Sequence, residues 1–361
     1  MLPYYFLVFF PFFIEAIGLN LFSLNRNVFL EKKNNSSIIV FFLILFTLLS
    51  LRSESCGIDL KNYRYMFQTT QYLNFGEVFS FYSTEQLFFA FNWVVGYVYP
   101  DFRLFMVIVA LLCTGVTGWF YWKESKCAPL TMLLFVINPC IFMFYSGLRQ
   151  ALAMLFVIPA YYMILKRKII PFIIIVFVTC YFHTSALVML FLYPAFYTPI
   201  KSRHFVIVLL LVVVVFLFKS QIFFFVLPFL AKRYIELYGQ ITDTGSYAMW
   251  VLFILFLTYA FCISDEEKMS SKQLGLRNIL VVMTVIQCFA PIHPIAMRFN
   301  LYFIMLLPII VPELLIIPRK GNENIAQISK WVMVCFFLFF FFFRAEPGDG
   351  LNAIPYRFFW E

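Results

Sequence analysis

Two arginines and one histidine sit where their side chains could do chemistry. Arg149 lies in Phe144-Tyr145-Ser146-Gly147-Leu148-Arg149-Gln150-Ala151, where a Ser-Gly pair interrupts one apolar run and another begins. A helix starting there sets its unsatisfied N–H groups and the positive end of its dipole beside the guanidinium, which favours an anion. Arg298 repeats the arrangement in Pro294-Ile295-Ala296-Met297-Arg298-Phe299-Asn300, one turn after a proline suited to a first helical position. His183, in Phe182-His183-Thr184-Ser185-Ala186-Leu187, is one of three histidines, and imidazole is the side chain best suited to move a proton near neutral pH. Each also has a plainer reading: an interfacial arginine that snorkels, or a histidine hydrogen-bonded inside a helix bundle. Arginines inside membrane-length runs are rare and ordinarily face a partner or cavity, which favours the functional reading of Arg149 and Arg298. For His183 both readings stand.

A second polar set lies between Arg52 and Glu85. It runs Arg52-Ser53-Glu54-Ser55-Cys56-Gly57-Ile58-Asp59, then Tyr63 and Arg64, and ends at Glu85 before an aromatic stretch. Acids and arginines mixed in this way are unremarkable on a soluble surface, but in a chain so poor in charge they suggest an ordered, ion-paired site. The terminal Asn352-Ala353-Ile354-Pro355-Tyr356-Arg357-Phe358 is too aromatic for a disordered tail and is expected to fold back onto the outer face.

The elements that must position these residues follow from composition. The 361 residues are 63% hydrophobic, 22% aromatic and 12% charged, with 51 Phe. A soluble domain carries roughly a quarter of its residues charged, so a soluble protein is excluded, and disorder is excluded by the hydrophobicity. Apolar runs of about 20 residues, enough to cross a bilayer as a helix, recur along the chain. Runs such as Phe205 to Phe218 do not alternate, which argues against a β-barrel. The expected fold is all-α, a polytopic membrane helix bundle forming a single integral membrane domain over 1–361.

Tyr4 to Leu24 lacks a basic n-region and a small-residue cleavage site, and reads as a retained helix. Further spans are read at Ile38 to Leu51, Phe102 to Trp122, Pro129 to Ser146, Leu148 to Leu165, Phe205 to Phe218, Tyr247 to Ile263, Leu276 to Ala290, Ile295 to Ile317 and Trp331 to Phe343. Ile169 to Tyr197 is too long for one crossing and is interrupted at Phe182-His183-Thr184-Ser185, so it reads as two short helices. Glu85 to Tyr99 begins with an acid and reads as a re-entrant or interfacial helix.

Six basic clusters fix orientation under the positive-inside rule: Arg26 with Lys32 and Lys33, Lys123 with Lys126, Lys166-Arg167-Lys168, Lys201 with Arg203, Lys268 with Lys272 and Arg277, and Arg319-Lys320. All six fall on the cytoplasmic side if the N-terminus is outside, 85–99 does not cross, and 169–197 crosses twice. That topology has about 12 spans and both termini outside, with external loops at 52–84 and 219–246 and an external tail at 345–361. The excess of 27 basic over 18 acidic residues, +9, then reports orientation and implies no nucleic-acid partner. The 8 cysteines are scattered singly, with no spacing for a metal site or a disulfide framework.

Taken together and in order, several of these pieces resemble the EpsG family of Wzy-type polysaccharide polymerases. They are Arg52 with Gly57-Ile58-Asp59 and Tyr63, Glu85 before its short aromatic helix, Gly147-Leu148-Arg149-Gln150-Ala151, Phe182-His183-Thr184-Ser185-Ala186-Leu187, Arg298 followed by Tyr302, and Pro355-Tyr356-Arg357-Phe358. Cys56 stands where the family often has another small residue. The resemblance implies a GT-C-like membrane glycosyltransferase in O-antigen or exopolysaccharide biosynthesis. Its substrates would be undecaprenyl-pyrophosphate-linked oligosaccharide repeats, joined at the periplasmic face of the bacterial inner membrane among membrane lipid. It implies no cofactor and no metal, and a chain-length regulator protein as a partner. A pyrophosphate leaving group needs positive charge as its bond breaks, which Arg149, Arg298 and Arg52 are placed to supply. The acceptor hydroxyl needs a base, with His183 first and Asp59 or Glu85 as rivals. Arg52, Asp59, Tyr63, Glu85 and Tyr356 are the expected substrate-binding residues.

A lipid-linked oligosaccharide flippase is the competing reading. Transporters of this size favour inverted repeats and broken helices at the midplane, whereas the unusual polar residues here gather toward one face. A membrane acyltransferase with a histidine base ranks third, since no second acid and histidine grouping accompanies His183.

Overall fold

The computed structural model describes residues 2–16, 35–230, 247–292, 294–315, 317–345, 353 and 355–361. Among the described residues the structure is helical, with two isolated β-bridges, Arg52 to Phe358 and Ser264 to Pro318, and no strand. It divides into two compact units, one of residues 1–187 and 331–361 and the other of 188–330.

The first unit contains α1 (Leu2–Ala16), α2 (Ser36–Leu51), α3 (Leu60–Thr70), α4 (Phe75–Phe81), α5 (Gln86–Val98), α6 (Phe102–Glu124), α7 (Ala128–Ile137), α8 (Cys140–Tyr145), α9 (Leu148–Leu155), α10 (Val157–Leu165) and α11 (Ile169–Cys180). Its core is aromatic. Phe41 and Phe42 of α2 meet Phe135 of α7 and Tyr121 of α6, with Phe42 and Phe135 centroids 5.0 Å apart. The close pass of α2 over α6 depends on Gly118, where a Cβ would come 2.9 Å from Phe42. Small residues permit such helix contacts in membranes, where hydrophobicity alone does not drive association.

Several segments read as continuous are broken. Pro129 to Ser146 divides into α7 and α8 at Asn138-Pro139, because the residue before a proline is pushed out of helical geometry. Asn138 is extended at ψ 134, and its Oδ1 accepts from the Cys140 N–H at 2.8 Å, replacing a lost helical bond. Ile169 to Tyr197 breaks after α11, as the polar interruption suggested, and resumes as a 3₁₀ turn at Thr184–Phe191. The 52–84 stretch, expected as a loop, carries α3 and α4. The apolar spacing of Leu60, Tyr63, Phe67 and Thr70 gives α3 one buried face, and Asn74 with Glu77 forms a capping box for α4. By rise alone α5, with 13 residues, covers about 20 Å, short of a crossing.

The second unit contains α12 (Leu192–Tyr197), α13 (Phe205–Leu217), α14 (Lys219–Leu230), α15 (Tyr247–Thr258), α16 (Ser271–Gln287), α17 (Pro294–Ile304) and α18 (Leu307–Leu315). The expected loop at 219–246 is corrected in its first part: α14 occupies it, bent 73° from α13. The apolar run Ile222 to Leu230 explains the helix, and 231–246 lies outside the described residues. Basic residues expected to be simple orientation signals are in part structural. Arg277 is fully buried, pairs with Glu266 at 2.9 Å and donates to the Ile200 carbonyl at 2.6 Å. Lys272 pairs with buried Glu313 at 2.8 Å.

A final helix, α19 (Glu323–Ala345), leads to the C-terminal tail. Two helical stretches, Phe102–Glu124 and Leu148–Leu165, are each long and apolar enough to cross a membrane. Two bent pairs, α13 with α14 and Ala296–Ile304 with α18, bring the total among the described residues to 4 if each is one span.

Candidate functional site

The site is built in the first unit, where α3, the start of α5, the α8 to α9 break and the turn after α11 converge. Gly57 opens it with φ +144, a conformation closed to side-chain-bearing residues, and a Cβ there would lie 2.5 Å from the Tyr145 carbonyl oxygen. This tight approach sets Asp59 against the α8 to α9 break. The Asp59 N–H donates to Ser146 Oγ at 3.2 Å, and the Ser146 hydroxyl donates to Asp59 Oδ2 at 3.3 Å. One turn further along α3, Tyr63 is buried against Phe88, and its phenol oxygen accepts from the backbone N–H of Arg149 at 3.4 Å. The Arg149 guanidinium lies over the same ring at 5.8 Å.

Glu85 is the centre of the cluster. It is 7% exposed, and its Oε2 receives Arg149 Nη1 at 2.5 Å. Its Oε1 lies 2.9 Å from His183 Nδ1 and accepts from the Thr184 N–H at 3.4 Å. The imidazole approach is bent, too far off the N–H direction for a well-formed hydrogen bond, and is a close electrostatic contact. Burial works to raise the Glu85 carboxyl pKa. The contact and charge of His183, the charge of Arg149 and the Thr184 N–H outweigh it and hold the carboxyl below its ordinary value.

The backbone of Glu85 is left-handed, φ 58 and ψ 35. For a residue with a side chain this costs on the order of 1–3 kcal/mol and persists where surrounding contacts over-determine it. Here those contacts are the three partners of the carboxylate and the Leu87 N–H, which donates to the Tyr181 carbonyl at 3.0 Å. The anion expected at the start of the Arg149 helix is thus present within the protein. Glu85 also reaches the first N–H of the 3₁₀ turn after His183.

Arg52 is placed differently. It ends α2, is 1% exposed, and donates from Nη1 to the Leu49 carbonyl at 3.0 Å, while its Nε and Nη2 have no hydrogen-bond partner among the described residues. Its surroundings are aromatic, with the Tyr145 ring 5.5 Å away and Tyr4 packed against both Tyr145 and, edge to face, Tyr356. The C-terminal tail does fold back, onto this residue. Ser53 donates to the Arg357 carbonyl at 2.8 Å, Phe359 donates to the Leu51 carbonyl at 2.9 Å, and Tyr356 donates from its hydroxyl to the Leu48 carbonyl at 2.7 Å. The tail is tied down further where Tyr4 donates from its hydroxyl to Ala353. Tyr356, expected to touch substrate, has its hydroxyl engaged in holding the tail.

Of the residues singled out in the sequence, Asp59, Tyr63, Glu85, Arg149 and His183 share one connected cluster, and Arg52 lies across the Tyr145-Ser146 corner from it. Arg298 is half-buried on α17 of the second unit. Two contributors had been passed over. Ser146 was visible only as a helix interruption, and nothing in the residue types marks it as the partner of Asp59. Thr184 acts through its backbone, which leaves no signal in the side-chain sequence. Among the described residues no group of three His, Cys, Asp or Glu side chains comes together.

A family model described as the EpsG family matches residues 36–358, nearly the whole chain. Members of that family are Wzy-type polymerase-like. No curated protein and no solved structure matches.

Proposed function

Because this chain belongs to the EpsG family, a family of polysaccharide-polymerase-like membrane proteins, we infer that it joins polyprenyl-pyrophosphate-linked oligosaccharide repeats into a polymer. The observation that carries this reading is one carboxylate, Glu85, held between a guanidinium at 2.5 Å and an imidazole at 2.9 Å. In the proposed reaction a hydroxyl of the acceptor repeat attacks the anomeric carbon of the donor chain. The bond from that carbon to the pyrophosphate oxygen breaks, and polyprenyl pyrophosphate leaves with the electron pair. The hydroxyl proton passes to His183. With Nδ1 close to Glu85, Nε2 is left to face substrate, and the carboxylate stabilises the imidazolium by its charge.

The leaving group gains negative charge as it departs, so preformed positive charge lowers the barrier. Arg149 supplies it at the helix start. Its charge is shared with Glu85 in the resting protein, and becomes available as His183 takes a proton and draws the carboxylate toward itself. Arg52 supplies two guanidinium nitrogens that have no hydrogen-bond partner among the described residues. The membrane arrangement proposed is a bundle of about 12 spans with this cluster at the periplasmic face of the inner membrane, the products being O-antigen or exopolysaccharide.

The test is a gel of surface polysaccharide from a strain lacking the chain. A polymerase deletion leaves single repeats attached to their final acceptor, and wild-type chain restores the ladder while Arg149→Ala does not. Loss of all attached sugar, single repeats included, assigns the chain instead to translocation of the lipid-linked repeat.

A further inference from the structure

A cavity of about 460 Å³ lies between α3 and the start of α6. It falls within the usual range of small-molecule sites, roughly 300–1,000 Å³. Its walls carry Glu54, Arg64, Gln68, Tyr99, Asp101 and Arg103. None of these takes part in the chemistry above.

The wall is built rather than incidental. Arg64 is clamped by Glu54, with Nη1 at 2.9 and 3.2 Å from the two carboxylate oxygens. Arg103 is fixed from two directions, donating to the Ser50 carbonyl at 2.7 Å and lying 3.5 Å over the Phe359 ring. Asp101 caps the helix that carries it, accepting from the Arg103 N–H at 2.6 Å. Tyr99 stands 56% exposed and lines the cavity together with Phe67 and Phe102.

Charge decides the class of ligand. Two carboxylates and two guanidinium groups leave the wall with no net charge, so it offers no advantage to an anion or a cation. It does offer closely spaced donors and acceptors beside an aromatic ring, which is what a neutral polyhydroxylated ring requires: hydroxyls bonded to charged groups and an apolar face against an aromatic. Position supports the same ligand. Tyr63 and Arg64 are neighbours on α3, the first touching Arg149 and the second lining the cavity. Successive residues on a helix point about 100° apart, so the two places lie on adjoining faces of α3.

We propose that the groove between α3 and the start of α6 is a second saccharide-binding subsite, which grips neutral sugars of a lipid-linked chain away from the bond being formed. This rests on the polymerase reading for the identity of the chain, but the subsite is testable apart from it. Full-length protein in detergent micelles is titrated with sugar fragments cut by mild acid from the polymer of the strain that carries it, with an unrelated neutral hexasaccharide as control, and binding is read by saturation-transfer NMR.

Binding of the fragments is expected in the wild type and in His183→Ala. It should weaken by about tenfold or more in Tyr99→Ala and in Gln68→Ala, the effect of losing one ring contact or side-chain bond. Inorganic phosphate should not compete. A wild type that binds no fragment, variants that bind as tightly as the wild type, or competition by phosphate would each overturn the proposal. Fragment binding with no joined product from lipid-linked repeats would instead remove the polymerase reading and leave the subsite standing.

Discussion

The carboxylate of Glu85 meets the guanidinium of Arg149 at 2.5 Å, although 64 residues separate them in the chain. The contact ties the start of α5 to the start of α9. The Arg149 charge is thereby partly balanced before any substrate arrives, and the side chain, 32% exposed, keeps an open flank.

Removing that flank should stop the reaction while leaving the fold in place. Arg149→Ala is expected to lower polymer formation on the order of 10²-fold or more, in line with loss of a group that stabilises developing negative charge. Arg149→Lys should recover little of it, because an ammonium cannot face a carboxylate and a phosphate oxygen with one planar fork. Ladder intensity at matched protein levels in the membrane is the measurement. Near-wild-type polymer in the alanine variant removes Arg149 from the mechanism.

Glu85 predicts a pH dependence of stability with a definite sign. Its carboxyl is held below the ordinary value in the folded protein, so the folded state binds its proton less readily than the unfolded chain does. The contribution is complete above the ordinary glutamate value of about 4.3, and is lost as pH falls from there through the lower folded value. Thermal unfolding in micelles should therefore show wild type above Glu85→Gln at neutral pH, with the gap closing only in acid. A gap that is the same at pH 7 and in strong acid contradicts the assignment. The same variant should lose polymer formation at neutral pH, since an amide orients His183 without supplying charge.

Gly57 gives a purely steric prediction. Its φ of +144 and the 2.5 Å approach to the Tyr145 carbonyl leave no room for a methyl group. Gly57→Ala should cost about 1–3 kcal/mol and displace Asp59 from Ser146. Lower unfolding temperature together with reduced polymer output is the expected pair of results; an unchanged melting curve contradicts the geometry.

The sequence made the charged residues conspicuous because so few were available, and it placed Arg149 and His183 at helix starts by the interruptions at Ser146-Gly147 and Phe182 to Ser185. The return of the tail was legible in its aromatic content. What could not be read was which residue faces which. The Glu85 contacts span 64 and 99 residues, and no local pattern encodes pairing at that separation. The helix in 219–230 was missed because Lys219 and Gln221 at its start resemble a loop boundary, while the apolar residues that follow extend the helix past it. Asn138-Pro139 was a visible breaker, and its weight was underestimated inside so apolar a run.

Arg52 separates a structural from a functional role. A buried guanidinium with two nitrogens lacking hydrogen-bond partners among the described residues is expensive, and replacing it by an apolar side chain of similar length removes that desolvation cost. The tail is held near Arg52 through the backbone of Leu51 and Ser53, so it survives loss of the side chain. Arg52→Met should therefore unfold at the wild-type temperature or above it, yet lose polymer formation by about tenfold or more if the open nitrogens receive a phosphate oxygen. Loss of stability without loss of polymer, measured on the same preparation, would make Arg52 a packing residue and leave the leaving group to Arg149.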